Sequence, residues 1–364
     1  MTTPLETRME RAAPMLTGAL TLRDAIGSGE ERLLLHAGPP YAGPEAIPAP
    51  VRNAAIAAML FEGWAASFDE AAEAIRLGAV RIAAAQDHGV VTPLAFVVSP
   101  SMAVLRVEDS ASGLSRYAPV NDGKPQGALR FGVFSTEAIA RLRRIADSVA
   151  TLDVALSEPI ALLPPMAEGL AGGDDLHGVV AHANALLRDR LRPRLSGAMA
   201  DHLDQADQFA LNAIMAACAV LLAAWGDGSE GMVTRLGGNG VEVGWSIAGE
   251  SLWRRAPSAP PRGILFSDTA ATPLPSIGDS MVIDACGFGA AALRHAPALH
   301  ASLEGHIDET GSHHFLRPHP AFPPDLKLGL KLSGETTPVS AILAILDASG
   351  GLIGRGIHTT RLTA

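Results

Sequence analysis

Aromatic residues and cysteines are both scarce in this sequence. Aromatic side chains make up 4% of the chain, so the core has to be filled with Ala, Leu, Val and Ile. The two cysteines, Cys218 and Cys286, lie in apolar patterns and lack the Cys-x-x-Cys spacing of a zinc site or a redox pair. This usage fits a reducing compartment, and we expect a cytoplasmic protein.

Basic clusters and long apolar segments are also missing. The net charge is −10 and the pI is near 5.6, which argues against nucleic acid or an anionic membrane as a partner. The longest apolar run, residues 214–225, is too short to span a bilayer, and the N-terminus has no apolar core of the signal-peptide type. These absences predict a soluble protein.

The signatures of several enzyme classes are absent as well. The chain has no Gly-x-Ser-x-Gly elbow, no Walker loop and no complete dinucleotide-binding fingerprint. Serine hydrolase, NTPase and Rossmann assignments therefore lack their residues, and we expect no cofactor.

Length and composition predict a multidomain α/β protein. The chain has 364 residues, of which 48% are apolar and 37 are glycine, so more than one core is expected. We predict a mixed α/β fold with two α/β domains and a small helical subdomain. The predicted ranges are an N-terminal arm and strand over 1–49, the helical subdomain over 50–79, an α/β domain with long helices over 80–230, and a glycine-rich α/β domain over 231–364.

Helix and strand signals support this division. Pro50 begins a helix, Ser67 and Glu70 form a capping-box pattern before a second one, and residues 209–225 are apolar nearly all round, as in a central buried helix. Residues up to about 31 are predicted to form a peripheral arm. Strands are predicted at 33–35, 80–84, 95–98, 103–108, 115–120, 232–236, 241–247, 263–266, 327–331 and 352–358.

The chain is best organised around residues 277–299. The apolar run 281–283 is typical of a buried strand, Gly287 and Gly289 flank a turn, and residues 290–295 are alanine-rich and helical. A glycine pair at the start of a helix presents unpaired N–H groups to an anion, although close packing of helix on strand uses the same pattern. We expect the backbone of residues 287–290 to lie near a ligand, with His88, Asn239 and Gly240 converging on the same space.

Histidines are concentrated in residues 305–324, where an exposed loop is expected. His313 and His314 are adjacent and cannot easily face one ion, and a loop holds ligands poorly. No metal site is therefore predicted, in this loop or elsewhere.

Turn residues at or near predicted strand ends are the candidates for anion binding, because a rigid scaffold presents its ligand-binding groups at such positions. Each of them also fits a turn or capping role. They are His36, Gly38, His88, Asn121, Arg130, Asn239, Gly240, Asp279, Ser280, Gly287 and Gly289.

Blocks built on these residues resemble the YlbE-like proteins, a family of unknown function. The blocks run in the same order from about residue 33 to the end of the chain. They include His36-Ala37-Gly38-Pro39-Pro40, Glu62-Gly63-Trp64-Ala65, Asp87-His88, Asn121-Asp122-Gly123, Leu129-Arg130-Phe131-Gly132, Asp175-Leu176-His177, Leu211-Asn212, Asn239-Gly240 and Ile277-Gly278-Asp279-Ser280.

The resemblance implies a function in carbamoyl transfer. Members of this family are associated with purine and allantoin breakdown, where oxalurate and phosphate are exchanged with oxamate and carbamoyl phosphate, beside FdrA-like partner subunits. It implies a small anionic substrate, a homo-oligomer and a substrate-binding role for His177. In this interpretation His88 and His36 polarise or protonate the carbonyl, and Arg130 with the turn at Gly287 and Gly289 holds negative charge.

Departures from the family pattern keep two other functions open. His177-Gly178-Val179-Val180 stands where the family has His-Asn-Arg-Asn, and Gly238 stands where it has Arg. Lost polar side chains favour a non-catalytic assembly subunit. The third hypothesis is an amide or ring hydrolase, with Glu242 or Asp279 as the base that activates water.

Overall fold

The structure is a computed structural model that describes residues 4–27, 29, 32–123, 128–267, 271–307, 315–333 and 336–364. It has the predicted mixed α/β class. The helices are α1 Pro4–Arg11, α2 Leu22–Ile26, α3 Ala49–Glu62, α4 Phe68–Arg76, α5 Thr136–Asp147, α6 Val149–Ala155, α7 Leu163–Ala171, α8 Ala181–Leu191, α9 Gly197–Gln205, α10 Phe209–Gly226, α11 Met281–Cys286 and α12 Pro297–Leu303. Short 3-10 helices cover Pro44–Ala46, Ala85–His88, Leu129–Phe131, Arg192–Arg194, Gly289–His295 and Glu304–His306.

The strands form several small sheets. They are β1 Pro14–Thr21, β2 Leu33–His36, β3 Arg81–Ala84, β4 Ala103–Asp109, β5 Ser115–Pro119, β6 Ile160–Ala161, β7 Val233–Asn239, β8 Glu242–Ile247, β9 Arg254–Pro257, β10 Arg262–Leu265, β11 Ile277–Gly278, β12 Phe315–Pro318, β13 Lys327–Leu330, β14 Thr337–Leu346 and β15 Leu352–Leu362. The larger sheets have the orders β5-β4-β1-β6, β11-β7-β8-β9 and β10-β15-β14. β2 pairs with β3 in parallel, and β12 pairs with β13 antiparallel.

Helix α10 lies at the centre of the molecule, as its sequence predicts. It packs against β4, β5, β7 and α11, so apolar side chains on every side of the helix find a partner. The helix is long and apolar enough to cross a membrane, but 83% of it is buried inside the fold, as in the core helix of a soluble protein. Its burial accounts for its composition without a bilayer.

The helix predictions around residues 50–78 are confirmed. Helix α3 ends at Gly63, whose φ is 73°, and the Ser67 side chain accepts a hydrogen bond from the N–H of Glu70 at the start of α4. The two helices pack on each other. The proposed domain boundaries remain a prediction.

The described part of the N-terminal segment, residues 4–27, does not form a peripheral arm. Strand β1 lies between β4 and β6 inside its sheet, and Leu16 is fully buried. The prediction of a peripheral arm is therefore wrong. The sequence of one eight-residue strand does not indicate which distant strands it pairs with. Residues 95–98 also differ from the predicted strand: a turn covers Leu94 and Ala95, and Val98 makes one isolated bridge with Leu35.

The apolar run at 281–283 is helical rather than extended. It opens α11, all six residues of which are buried, and Gly287 ends the helix with φ 114°. A short apolar run has the same sequence pattern in a buried helix and in a buried strand, which explains the error. The predicted turn at Gly287 and Gly289 is present, and Gly289–His295 is a 3-10 helix.

The histidine-rich segment is only partly described. His313 and His314 lie outside the described residues, so the prediction about metal binding stays open there. His319 is buried, and its Nε2 atom lies 3.0 Å from the carbonyl oxygen of Met9. This end of the segment is therefore part of the packed fold instead of an exposed loop.

Candidate functional site

A cleft of about 80 Å³ brings together residues that are far apart in the sequence. Its polar lining comes from several elements: the 3-10 helix at Arg130, the turn at His177, the start of α10 at Asn212, and β15 at Arg355. One enclosed water needs ~10–15 Å³, so the volume of this cleft suits a ligand of a few heavy atoms. The described lining residues are Pro93, Leu94, Asn121, Arg130, Phe131, His177, Gly178, Gln208, Leu211, Asn212, Phe266, Ser280, Ile342, Leu343, Ala344, Leu352, Gly354 and Arg355.

The side chains that line the cleft include cationic groups. Two arginines line it, and none of the described lining residues is Asp or Glu. Arg130 is buried and lies 3.9 Å from Asp122, whose other oxygen is taken by Arg141 at 3.2 Å. For Arg355, no ion pair with a described residue is found. A small anion would be attracted to such a cleft.

His177 faces the cleft and is held by a buried carboxylate. Its Nδ1 atom lies 2.7 Å from Oδ2 of Asp284, which leaves Nε2 as the ring nitrogen able to exchange a proton with a ligand. Burial lowers the pKa of His177, but the charge and hydrogen bond of Asp284, helped by Asp175, outweigh it and raise the pKa above 6.5. The imidazole is thus oriented by Asp284, with Nε2 directed away from that carboxylate.

Main-chain N–H groups fix Asp284 in place. Its Oδ1 atom accepts hydrogen bonds from Ala290, at 2.9 Å, and from Ile342, at 3.3 Å. Gly289 makes this possible, because a Cβ on that residue would lie 2.2 Å from Oδ1 of Asp284. The carboxylate is therefore set in position before any ligand arrives.

Strained backbone flanks the cleft. Among the described residues other than glycine, Leu94 (φ 50°) and Leu176 (φ 70°) have positive φ. Leu94 lines the cleft, and Leu176 directly precedes His177. Bulky residues rarely adopt this conformation, and such strain clusters at ligand-binding sites.

Four of the residues predicted from sequence line this cleft: Asn121, Arg130, His177 and Ser280. The Oδ1 atom of Asn121 accepts a hydrogen bond from the N–H of Gly123, so this residue also stabilises its own turn. Ser280 is buried just before α11.

Other predicted residues lie in an interior network away from the cleft lining. Asp279 is fully buried and accepts hydrogen bonds from the N–H of Gly38 (2.9 Å), the side chain of Gln86 (2.6 Å) and the N–H of Thr92 (3.0 Å). Burial raises the pKa of Asp279 to about 7, against the opposing effect of these donors. Its oxygens are occupied by the fold.

His36 is also enclosed by the fold. It stacks on Tyr41 with ring centroids 4.4 Å apart, and its Nδ1 atom lies 2.7 Å from the carbonyl oxygen of Ala37. Burial lowers the pKa of His36 to about 4, against a smaller effect of that hydrogen bond. The ring is therefore neutral at physiological pH and does not line the cleft.

Asn239 and Gly240 form a turn that supports β7 and β8. The Asn239 side chain donates to the carbonyl of Pro39 at 2.9 Å and accepts from the N–H groups of Val241 and Glu242. Gly240 has φ 84°, which favours glycine. Neither residue lines the cleft, so the predicted convergence with residues 287–290 is not found.

The remaining predicted residues lie beside the cleft or apart from it. A Cβ on Gly287 would lie 2.5 Å from the carbonyl oxygen of Lys327, so this glycine serves close packing. Gly289 is not among the described lining residues, and a Cβ there would meet Oδ1 of Asp284 at 2.2 Å and Cβ of His177 at 3.1 Å. His88 is half-buried at the end of its 3-10 helix and is not part of the cleft lining.

Three residues of the site were not among the sequence-based candidates: Asp284, Asn212 and Arg355. Asn212 had a usable signal, because it is the one strongly polar residue in the apolar helix α10. Asp284 likewise interrupts the buried apolar run of α11. Arg355 has no local signal that separates it from a surface residue.

Comparisons with known proteins relate this chain to one protein family. The sequence model of the family "Oxamate carbamoyltransferase subunit AllG" matches residues 80–280, more than half of the 364 residues. The Escherichia coli K12 protein of that name is 31% identical over 286 residues, which cover 74% of this chain and 68% of the relative. An uncharacterized protein of the same bacterium, YahG, is 28% identical over 319 residues, covering 83% of this chain and 67% of the relative.

A solved structure shares the whole fold. A conserved protein of unknown function from Enterococcus faecalis V583 superposes with a TM-score of 0.89, covering 99% of this chain and 93% of the other at 24% identity. The kinship with an oxamate carbamoyltransferase system that the sequence blocks imply is confirmed, while the YlbE-like designation remains a resemblance. The chain belongs to the family of the oxamate carbamoyltransferase subunit AllG.

Proposed function

We propose that the cleft at Arg355 and His177 binds the small anions of a carbamoyl transfer reaction, of the oxamate, oxalurate and carbamoyl phosphate type. Membership in the family supports a carbamoyltransferase-related role. The observation that carries the proposal is the lining itself: two arginines, a histidine oriented by a buried carboxylate, and no described acidic residue.

The chemistry of the transfer matches these groups. In the direction that forms oxalurate, the amide nitrogen of oxamate attacks the carbonyl carbon of carbamoyl phosphate, and a C–N bond forms. The C–O bond to phosphate then breaks, and phosphate leaves with the bonding electrons. Nε2 of His177 accepts the proton that the nitrogen loses, while Arg130 and Arg355 stabilise the negative charge that develops on oxygen. No covalent enzyme intermediate is needed.

The hydrolase hypothesis finds no matching groups in the cleft. Asp279 is occupied by three hydrogen-bond donors in the interior. Glu242 lies on β8, where it is 3.7 Å from Arg255. Neither carboxylate belongs to the described cleft lining, where water activation would have to occur.

A non-catalytic assembly subunit is the second candidate. Gly178 lines the cleft at a position where the YlbE-like pattern has asparagine, so one polar group of that pattern is missing here. A subunit of this kind could still bind the anion and present it to a partner subunit that supplies the remaining groups.

Turnover and binding together test the proposal. We expect the chain to bind oxamate and carbamoyl phosphate by calorimetry, and we expect His177→Gln to leave a folded protein that lacks carbamoyl transfer, measured as phosphate release. Binding by the wild type without turnover, alone and with partner subunits added, would select the assembly role. Absence of binding to any of these anions would refute the cleft as the site.

A further inference from the structure

We propose that Asn212 is a specificity-determining residue of the cleft and recognises the primary amide of a carbamoyl or oxamic group. This inference rests on the proposed function. It adds the identity of the ligand group that the start of α10 contacts. The arginines hold the acidic end of the ligand, and Asn212 distinguishes an amide from a carboxylate or a methyl group at the other end.

Asn212 is a buried polar residue whose side-chain carbonyl has no partner in the described part of the chain. The residue is 2% exposed, and its Oδ1 atom has no hydrogen-bond partner among the described residues. It lines the cleft. A buried amide without a partner destabilises a fold, so the unliganded protein is less stable with this side chain than with an apolar one of similar size.

Other buried asparagines of this chain behave differently. Asn184 accepts a hydrogen bond from the N–H of Ala210 at 2.9 Å and donates to the carbonyl of Ala206 at 3.2 Å, so both ends of its amide are occupied. Asn239 is likewise bonded at both ends. Asn212 is therefore set apart from the asparagines that hold turns and helix ends together.

The ligand chemistry follows from the amide group. A primary amide carries both donors and an acceptor, so it pairs with Asn212 through two hydrogen bonds, one in each direction. A carboxylate has acceptors only and leaves the carbonyl of Asn212 unpaired, and a methyl group satisfies neither end. Sites built to hydrogen-bond a ligand group reject analogues that lack it. The start of the 18-residue helix α10 faces the same space and favours a polar or anionic ligand.

Two matched pairs of ligands test this assignment: oxamate against oxalate, and carbamoyl phosphate against acetyl phosphate. Binding is measured by calorimetry and by the ligand-induced rise in Tm. We expect the wild type to prefer the amide member of at least one pair by roughly tenfold or more. Asn212→Leu should lose that preference while its Tm without ligand is equal to or above that of the wild type.

Asn184→Leu is the control, because it removes an asparagine that the structure shows to be fully bonded. Its Tm should fall and its preference for the amide ligand should persist. A fall in Tm for Asn212→Leu like that of Asn184→Leu would assign Asn212 a structural role and overturn the inference. Equal binding within both ligand pairs would also overturn it but leave the proposed function standing. Absence of binding to all four ligands would refute both.

Discussion

The Nδ1 atom of His177 lies 2.7 Å from Oδ2 of Asp284, 107 positions further along the chain. This contact joins the turn after α7 to the helix α11 and determines how the imidazole faces the cleft. We expect Asp284→Asn to lower the pKa of His177, because it removes the negative charge that raises it. The proposed carbamoyl transfer should fall by about 10²–10⁴-fold, the usual contribution of general acid–base catalysis.

NMR titration of the His177 ring and the pH profile of transfer measure these effects. His177→Gln serves as the reference for complete loss of the imidazole. Circular dichroism should show that the Asp284→Asn protein remains folded, since its amide oxygen can still accept from Ala290 and Ile342. An unchanged pKa of His177 would show that Asp284 only supports the backbone.

Arg355→Leu should weaken anion binding without loss of stability. Arg355 lines the cleft, and no described residue pairs with its charge, so the substitution removes no ion pair of the fold. Hydrogen bonds to charged groups contribute about 1.5–3 kcal/mol, so affinity for oxamate should fall about 10- to 150-fold. Calorimetry at two salt concentrations measures the loss.

Arg361→Leu on the same strand is the matched control. Arg361 is exposed near the end of β15 and does not line the cleft. Its removal should leave oxamate affinity within a factor of about two, since it lies outside the site and its charge is screened by salt. Equal losses in the two variants would indicate a general electrostatic effect instead of a contact.

Gly289→Ala tests the link between the glycine turn and Asp284. Both Gly289 and Gly63 have positive φ, but only at Gly289 would a Cβ meet other atoms, at 2.2 Å from Oδ1 of Asp284. Gly63→Ala should therefore cost only the left-handed strain, about 1–2 kcal/mol. We expect Gly289→Ala to cost about 1–3 kcal/mol more, from overpacking.

Urea unfolding measures both glycine variants. The His177 titration should also change in Gly289→Ala, because Asp284 is displaced, and should stay the same in Gly63→Ala. Equal free energies of unfolding for the two variants would contradict the collision with Asp284.

His36 should make the fold sensitive to acid. Its pKa is about 4 in the folded protein and 6.5 as the ordinary value, so between these limits the unfolded chain binds more protons than the folded one. The stability that a neutral His36 provides is present above pH 6.5 and is lost as the pH falls through 6.5 toward 4. Between pH 7.5 and pH 5 the loss from this residue is about 2 kcal/mol.

His36→Phe should reduce that loss, because phenylalanine keeps the ring contact with Tyr41 and does not titrate. The free energy of unfolding in urea, measured at pH 7.5 and pH 5, gives the comparison. At pH 7.5 the variant is expected to be slightly less stable, since the hydrogen bond to Ala37 is lost. An equal pH dependence in both proteins would show that other groups determine the acid sensitivity.

Local sequence patterns predicted the elements whose cause is local. The apolar circumference of α10, the capping pattern at Ser67 and the helix-ending glycine Gly63 each act within a few residues of their position. By contrast, the helical state of residues 281–283 depends on burial by distant segments. The same is true of β1, whose neighbours are chosen by the tertiary fold.

The site was less predictable than the fold, for a related reason. Strand ends and glycine turns drew attention to Arg130 and Asn121, which line the cleft, but also to Asp279 and Asn239, whose polar groups are occupied within the fold. From sequence, a polar side chain that holds a turn cannot be distinguished from one that awaits a ligand. What separates Asn212 and Arg355 from the others is the absence of a described partner, and only the folded arrangement reveals it.

The interior position of β1 has a consequence for how the chain is made. Pro14–Thr21 is translated well before its partner strands, Ala103–Asp109 and Ile160–Ala161. Until then the strand has two unpaired edges, which are templates for aggregation. We therefore expect the yield of folded protein to depend on the time between translation of β1 and translation of its partner strands. A change in translation rate or an added chaperone should change this yield without changing the stability of the folded protein.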